Sequence, residues 1–183
     1  MISKLKLPFD FDAEALKADL NNFSDEDWTP HFNQSYYEGD WSGIALRAPK
    51  DAHLSIYPDP AAESFEETAE MNRCSYIPDV LKSFECELET VRFLRLGAGA
   101  KILEHRDFKL GFEDGVARIH IPVATNPQVV FRLGGEDLEM KEGDAWYLNF
   151  NLPHSVENNG ATDRVHLVLD CLVNDWLKNY FLQ

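Results

Sequence analysis

The chain has 183 residues, and its 32 acidic and 17 basic side chains give a formal net charge of −15. A negative surface repels polyphosphates and anionic lipid headgroups, so we expect neither nucleic acid nor membrane partners. The length suits one domain, and 44% hydrophobic residues is ordinary for a globular protein, so we expect residues 1–183 to fold as a single domain.

The first half of the chain, residues 1–90, predicts helical and loop support together with the first strands. Residues 12–21 carry apolar side chains at helical spacing behind Asp12, which predicts a short amphipathic helix with an aspartate N-cap. The aromatic-rich segment 28–41 has no clean period and predicts an ordered loop or lid. Residues 43–48 (GIALRA) predict a strand.

Residues 58–75 are rich in Pro, Glu and Ala, and both a loop and an irregular helix remain open there. Residues 77–88 begin with Ile77-Pro78, and a proline in the first turn followed by spaced apolar residues predicts a second amphipathic helix. No apolar leader or long apolar stretch occurs, and the three cysteines have no paired-ligand spacing. These features favour the reducing cytoplasm.

From residue 91 to residue 172 the sequence consists of short alternating apolar runs separated by Gly, Asn and Pro. No helical pattern separates these runs, which favours a sandwich or jelly roll over a parallel α/β fold. The predicted strands are VRFLRL, AKILEH, ARIHIPVA, QVVFRL, DLEM, DAWYLN, HSVEN and RVHLVLDCL. Residues 173–183 predict a C-terminal helix. The sequence therefore predicts a mainly β, cupin-like jelly roll (a double-stranded β-helix) with flanking N- and C-terminal helices.

The most informative motif is His105-Arg106-Asp107. In an extended segment, residues two apart point to the same face and can bind one ion together. His154 follows 47 residues after Asp107, where a jelly roll can return a later strand beside an earlier one. Two imidazoles and one carboxylate on one face of an octahedron are typical of non-haem Fe(II) oxygenases. An isolated surface His/Asp pair is the alternative for the motif alone.

Arginines accompany this motif. Arg164 begins the strand RVHLVLD, and a guanidinium there can bind the carboxylate of a dicarboxylate co-substrate with two parallel hydrogen bonds. Arg118 and His120 share one face of ARIHIP, which makes Arg118 a second candidate for binding an anion. His166 has the parity of Arg164, and we interpret it as a buried core histidine.

Four blocks in order, LRLGAGAKILEHRD, RIHIPVATNP, EGDAWYLNFNLPHSVEN and RVHLVLD, resemble the aspartyl/asparaginyl β-hydroxylase family over the C-terminal half of the chain. Animal aspartyl hydroxylases have a non-ligating residue at the position of Asp107, so the resemblance is to the H-x-D, proline-hydroxylase-like branch. It implies Fe(II) held by His105, Asp107 and His154, with O2 and 2-oxoglutarate as co-substrates and Arg164 as the anchor of the 2-oxoglutarate carboxylate.

The resemblance also places Arg118 and His120 beside either the co-substrate or the substrate. It implies hydroxylation of a small substrate, such as an amino acid or its derivative, with release of succinate and CO2. A free amino acid, a peptide and a carrier-bound aminoacyl group all remain open. The alternative functions are a non-catalytic cupin-like module that binds metal and ligand, a cupin-type enzyme without 2-oxoglutarate, and a peptide aspartyl/asparaginyl β-hydroxylase.

Overall fold

Strands dominate the regular structure of the chain, which a computed structural model describes at residues 2–51, 56 and 62–181. The strands are β1 (Lys4–Asp10), β2 (Thr29–Pro30), β3 (Tyr37–Glu38), β4 (Trp41–Pro49), β5 (Phe65–Glu67), β6 (Leu88–Leu96), β7 (Lys101–His105), β8 (Val116–Ala124), β9 (Val129–Leu133), β10 (Glu136–Asp137), β11 (Asp144–Leu148), β12 (His154–Asn158) and β13 (Arg164–Leu172). The α-helices are α1 (Ala13–Leu20), α2 (Ile77–Lys82) and α3 (Asp175–Phe181). Short 3-10 helices span Asp25–Asp27, Gln34–Tyr36, Ala69–Arg73 and Phe112–Asp114.

The strands form two antiparallel sheets. The larger sheet has the order β1-β11-β8-β13-β6-β4-β2, with β5 paired to β4, and the smaller has the order β10-β9-β12-β7-β3. Residues of both sheets line one cavity, the arrangement of a jelly roll. The larger sheet reaches beyond residues 91–172, because β1 and β4 come from the N-terminal part. No sequence signal had suggested β1.

The helices cover the outer face of the larger sheet and close the main apolar core. Leu16 of α1, Ile77 of α2 and Leu177 of α3 are fully buried and belong to the same cluster as Phe93 and Leu167 of the sheet. Burying these apolar side chains is the main stabilising contribution to such a core. No helix in the part of the chain that the structure describes is long and apolar enough to cross a membrane.

The N-terminal helix forms as predicted. The Asp12 carboxylate accepts hydrogen bonds from the N–H groups of Glu14 (3.0 Å) and Ala15 (3.1 Å), which satisfies two donors that the first turn leaves free. The predicted strand at 43–48 lies within β4, and the aromatic segment 28–41 contains β2, β3 and one 3-10 turn. The predicted helix and strand are confirmed, and segment 28–41 is ordered as expected, whereas its role as a lid stays a prediction.

Three element predictions differ from the structure. The second helix ends at Lys82 rather than residue 88, because β6 begins at Leu88 opposite Cys171 and the chain must cross to the sheet. The predicted strand DLEM, residues 137–140, is wrong in its bounds, because strand pairing stops after Asp137. The Leu138 N–H makes one more hydrogen bond, to the Phe131 carbonyl (2.8 Å). For the segment 58–75, where a loop and an irregular helix were open, the structure has β5 and a 3-10 helix within residues 62–75. Residues 58–61 lie outside the described residues, as do the last two residues of the predicted helix 173–183.

Candidate metal centre and its cavity

Two histidines face each other where two strands of the smaller sheet meet. His105 ends β7 and lies opposite His154, the first residue of β12, with their ring centroids 4.3 Å apart. The Nδ1 atoms lie 2.7 Å from the Leu103 carbonyl and 3.1 Å from the Leu152 carbonyl, respectively. A carbonyl only accepts, so each Nδ1 donates, and in a neutral imidazole the lone pair then lies on Nε2. Such backbone contacts orient histidines that bind metals.

Asp107 completes the group. Its backbone N–H donates to the Phe150 carbonyl (2.9 Å), which fixes the loop after β7 against the segment that leads into β12. Its Oδ1 lies 3.6 Å from Nε2 of His105, and the ligand atoms of Asp107 and the two histidines all lie within 4.8 Å of one another. Among residues 2–51, 56 and 62–181, these three are the one such group of His, Cys, Asp or Glu.

The electrostatics of the histidines suit a metal ligand. Burial lowers the pKa of His154 to about 4, so its imidazole is neutral at physiological pH and its Nε2 can donate a lone pair. Two imidazole nitrogens and one carboxylate oxygen form the donor set of non-haem iron sites with open positions. The residues present therefore fit a divalent first-row transition metal such as Fe(II).

A cavity of about 570 Å³ opens beside this group. The volume is in the range of small-molecule sites, and the walls combine aromatic rings with a few charged groups. The aromatic segment 28–41 forms part of the wall, and the His31 ring stacks on Trp41 with centroids 3.5 Å apart. Phe131 and Phe150 also line the cavity and are nearly fully buried.

A second polar cluster lies in the cavity wall around Arg164. Its Nη2 donates to Nδ1 of His166 (2.8 Å), and Nδ1 of His120 lies 3.2 Å from the same atom. Burial lowers the pKa of Arg164 to about 9 and the pKa values of His120 and His166 well below their ordinary value, so at neutral pH the arginine is charged and both imidazoles are neutral. His166 is buried, as expected.

Two atoms of this cluster have no partner among the described residues. Nε of Arg164 and Nε2 of His120 are both buried and make no hydrogen bond. Buried polar groups are almost always satisfied in native proteins, so this pair beside a cavity is a candidate for binding a ligand. An arginine with a free donor fits the carboxylate of a dicarboxylate co-substrate.

Arg118 lies nearer to the metal group than to this cluster. Its Nη1 donates to Oδ2 of Asp107 (2.9 Å), and its Nε and Nη2 donate to the two carboxylate oxygens of Asp170 (2.6 and 2.9 Å). Asp170 was not among the site residues expected from the sequence. Its parity with Arg164 and His166 on β13 could have indicated that it points to the same face.

A family model described as Aspartyl/Asparaginyl beta-hydroxylase matches residues 10–173. An L-proline cis-4-hydroxylase of Rhizobium meliloti (strain 1021) is 28% identical over 97 residues, which are 52% of this chain and 34% of that hydroxylase. The match thus spans about a third of that relative's length.

Solved structures resemble the whole described fold. A prolyl-4-hydroxylase of Pseudomonas putida has a TM-score of 0.57 at 14% identity and covers 94% of this chain and 93% of its own. A 2OG-Fe(II) oxygenase family oxidoreductase of Burkholderia pseudomallei has a TM-score of 0.56 at 13% identity and covers 93% of this chain and 85% of its own. These likenesses concern the fold alone, and they confirm the predicted mainly β jelly roll.

Proposed function

The chain belongs to the aspartyl/asparaginyl β-hydroxylase family, and from this premise we propose that it is an Fe(II)- and 2-oxoglutarate-dependent dioxygenase that hydroxylates a small substrate. The observation that carries the proposal is the convergence of His105, Asp107 and His154 within 4.8 Å beside a cavity of about 570 Å³. The family match and the geometry both favour this class.

We assign the metal to His105, Asp107 and His154. When bound, Fe(II) with 2-oxoglutarate and O2 supplies the oxidising chemistry for C–H hydroxylation, which releases succinate and CO2. The side chains of the protein would hold and orient the metal. The Leu103 and Leu152 carbonyls accept from the Nδ1 atoms of the two histidines, which leaves their Nε2 atoms as the metal-binding nitrogens.

Arg164 is our candidate for the anchor of the far carboxylate of 2-oxoglutarate. It is buried and charged at neutral pH, and its Nε has no partner among the described residues. His166 accepts from Nη2 and thereby fixes the guanidinium plane. Nε2 of His120 is also unsatisfied, and a contact of His120 with the co-substrate or the substrate stays a prediction. Arg118 contacts two carboxylates, and a role in binding the co-substrate or the substrate stays a prediction for it.

The cavity walls define what the substrate meets. His31 and Trp41 from the aromatic segment line the cavity, with the Trp41 ring centroid 6.3 Å from that of His105, and they would exclude water around a bound molecule. The proline-hydroxylase relative supports an amino acid or amino-acid derivative as the substrate class. Three free thiols among the described residues (Cys74, Cys86 and Cys171) support a location in the reducing cytoplasm.

A succinate-release screen tests this function. The protein is incubated with Fe(II), 2-oxoglutarate and ascorbate together with single amino acids, amino-acid derivatives and short Asp- or Asn-containing peptides. We expect substrate-dependent succinate and a product heavier by one oxygen atom, with a small amino acid as the best substrate. Hydroxylation of peptides alone would assign the chain to the peptide aspartyl/asparaginyl hydroxylases. Metal and 2-oxoglutarate binding without turnover on any substrate would favour a non-catalytic binding module.

A further inference from the structure

A buried row of four charged side chains leads away from Asp107 into the larger sheet. Asp107 contacts Arg118, Arg118 contacts Asp170, and Asp170 contacts Arg92 through its Nη2 (2.7 Å). The charges alternate along the row, so each inner member lies between two groups of opposite sign. The side chains of Arg92 and Asp170 are 4% and 2% exposed, which leaves their attraction largely unscreened by solvent.

Asp170 is the best-bonded member of the row. Its Oδ1 accepts from Nε of Arg118, and its Oδ2 accepts from Nη2 of Arg118, from Nη2 of Arg92 and from Oγ1 of Thr90 (2.8 Å). Burial raises its pKa, but the two guanidinium groups outweigh burial and hold the pKa below its ordinary value. Asp170 is therefore a carboxylate that stays ionised inside the protein.

The row connects the centre of the larger sheet to a segment that lies outside the strands. Asp170 lies on β13, between β8, which carries Arg118 directly opposite it, and β6, which carries Arg92. Asp107 instead lies in the segment between β7 and β8, and its side chain is 27% exposed. The contacts of its carboxylate are with Arg118 and with His105, its neighbour in the metal group.

We propose that Asp170, supported by Arg92, is a positioning residue that acts through Arg118 to hold the Asp107 carboxylate in place for the metal. Arg118 covers Oδ2 of Asp107 and leaves Oδ1 on the side of Nε2 of His105. The inference rests on the proposed metal site. It gives Asp170 a role that acts through Arg118 and needs no direct contact between Asp170 and the metal. It also gives Arg118 a task other than binding an anionic ligand.

Cobalt(II) binding to the Asp170→Asn variant tests the proposal without any need for turnover. Asparagine keeps the shape of the side chain but loses its charge, so Arg118 loses its strong partner. We expect Co(II) to bind about tenfold or more weakly, the usual cost of losing a group that orients a metal ligand, and the visible spectrum of bound Co(II) to change. Asp144→Asn is the matched control, because Asp144 is also buried and ion-paired, but with Lys6 away from the cavity.

A second variant separates positioning from stability. Asp170→Asn leaves two buried guanidinium groups facing each other, which destabilises the fold. The double variant Arg92→Met/Asp170→Asn removes one cation and one anion, so the row stays neutral. We expect it to fold and still to bind Co(II) about tenfold more weakly than the wild type. If either variant folds and binds Co(II) with the affinity and spectrum of the wild type, the positioning role is overturned. If the wild-type protein itself binds no Co(II), the metal site is overturned.

Discussion

His105 and His154 lie directly opposite each other on antiparallel strands, although 48 positions separate them in the sequence. The strand pairing brings their rings to a centroid distance of 4.3 Å. The register of β7 and β12 therefore sets the metal site, because a shift by one residue would send one ring to the other face of the sheet. Asp107 reaches the same point because the Phe150 carbonyl holds its N–H.

Loss of a single ligand should abolish metal binding. We expect Asp107→Ala and His154→Ala to retain no stoichiometric Fe(II) after gel filtration and to produce no succinate, because two remaining protein ligands hold the ion weakly. Metal analysis and a succinate assay measure this. Asp137→Ala, at an exposed position of β10, is the control and should behave as wild type. Full metal content in Asp107→Ala would remove Asp107 from the ligand set.

Removal of the Arg164 guanidinium should weaken the binding of 2-oxoglutarate and leave the binding of the metal unchanged. We expect Arg164→Met to raise the KM for 2-oxoglutarate about 10- to 100-fold, since hydrogen bonds between charged groups contribute about 1.5–3 kcal/mol. Metal content should not change. Arg132→Met, a half-exposed arginine on β9, is the matched control. An unchanged KM in a folded Arg164→Met protein would exclude the anchoring role.

The metal-free protein should lose stability on mild acidification. Burial lowers the pKa of His31 to about 4 and the pKa values of His120 and His166 well below their ordinary value of 6.5. The unfolded chain then binds more protons than the folded chain below about pH 6.5, so the free energy of unfolding falls as the pH drops from 6.5 towards 4. Thermal unfolding in the presence of a chelator measures this. His31→Gln should give a shallower decrease, and a flat profile would contradict the burial of neutral histidines.

Asp19 should be among the most important polar residues for stability. It is 1% exposed and accepts hydrogen bonds from the N–H groups of Ser75, Tyr76 and Ile77, which lead into α2. We expect Asp19→Ala to lower the free energy of unfolding by about 2–4 kcal/mol, because it leaves buried donors unsatisfied. Urea unfolding measures this, with the exposed Asp79→Ala as control. A loss under 0.5 kcal/mol would show that water replaces the carboxylate.

Local patterns were sufficient to predict much of this molecule. Asp12 and the apolar spacing after it predicted α1, and the alternation in ARIHIPVA and RVHLVLDCL predicted β8 and β13. The H-x-D motif and a histidine in a later strand predicted a group that the structure brings together. The signals for α1, β8, β13 and the H-x-D pair depend on neighbours within a few residues, where backbone geometry decides which side chains share a face. The addition of His154 depended on the expected jelly roll and on the family resemblance.

Other features that depend on pairing between distant segments could not be predicted. Strand β1 pairs with β11, more than 130 residues later, and nothing in KLKLPFD indicates that partner. The bond between Asp170 and Arg118 requires β13 to lie beside β8 in one register, and an isolated sequence gives neither the order nor the register. The contact between Asp19 and the start of α2 is equally non-local.

Anaerobic titration tests the central claim most directly. The metal-free protein receives one equivalent of Fe(II) and then 2-oxoglutarate, with the visible absorption spectrum recorded at each step. A site that holds iron through His105, Asp107 and His154 and admits 2-oxoglutarate should develop a charge-transfer band that saturates at one co-substrate per chain and is absent from Asp107→Ala. Wild-type protein that binds Fe(II) but shows no band, or a band of equal strength in Asp107→Ala, would contradict the proposed oxygenase.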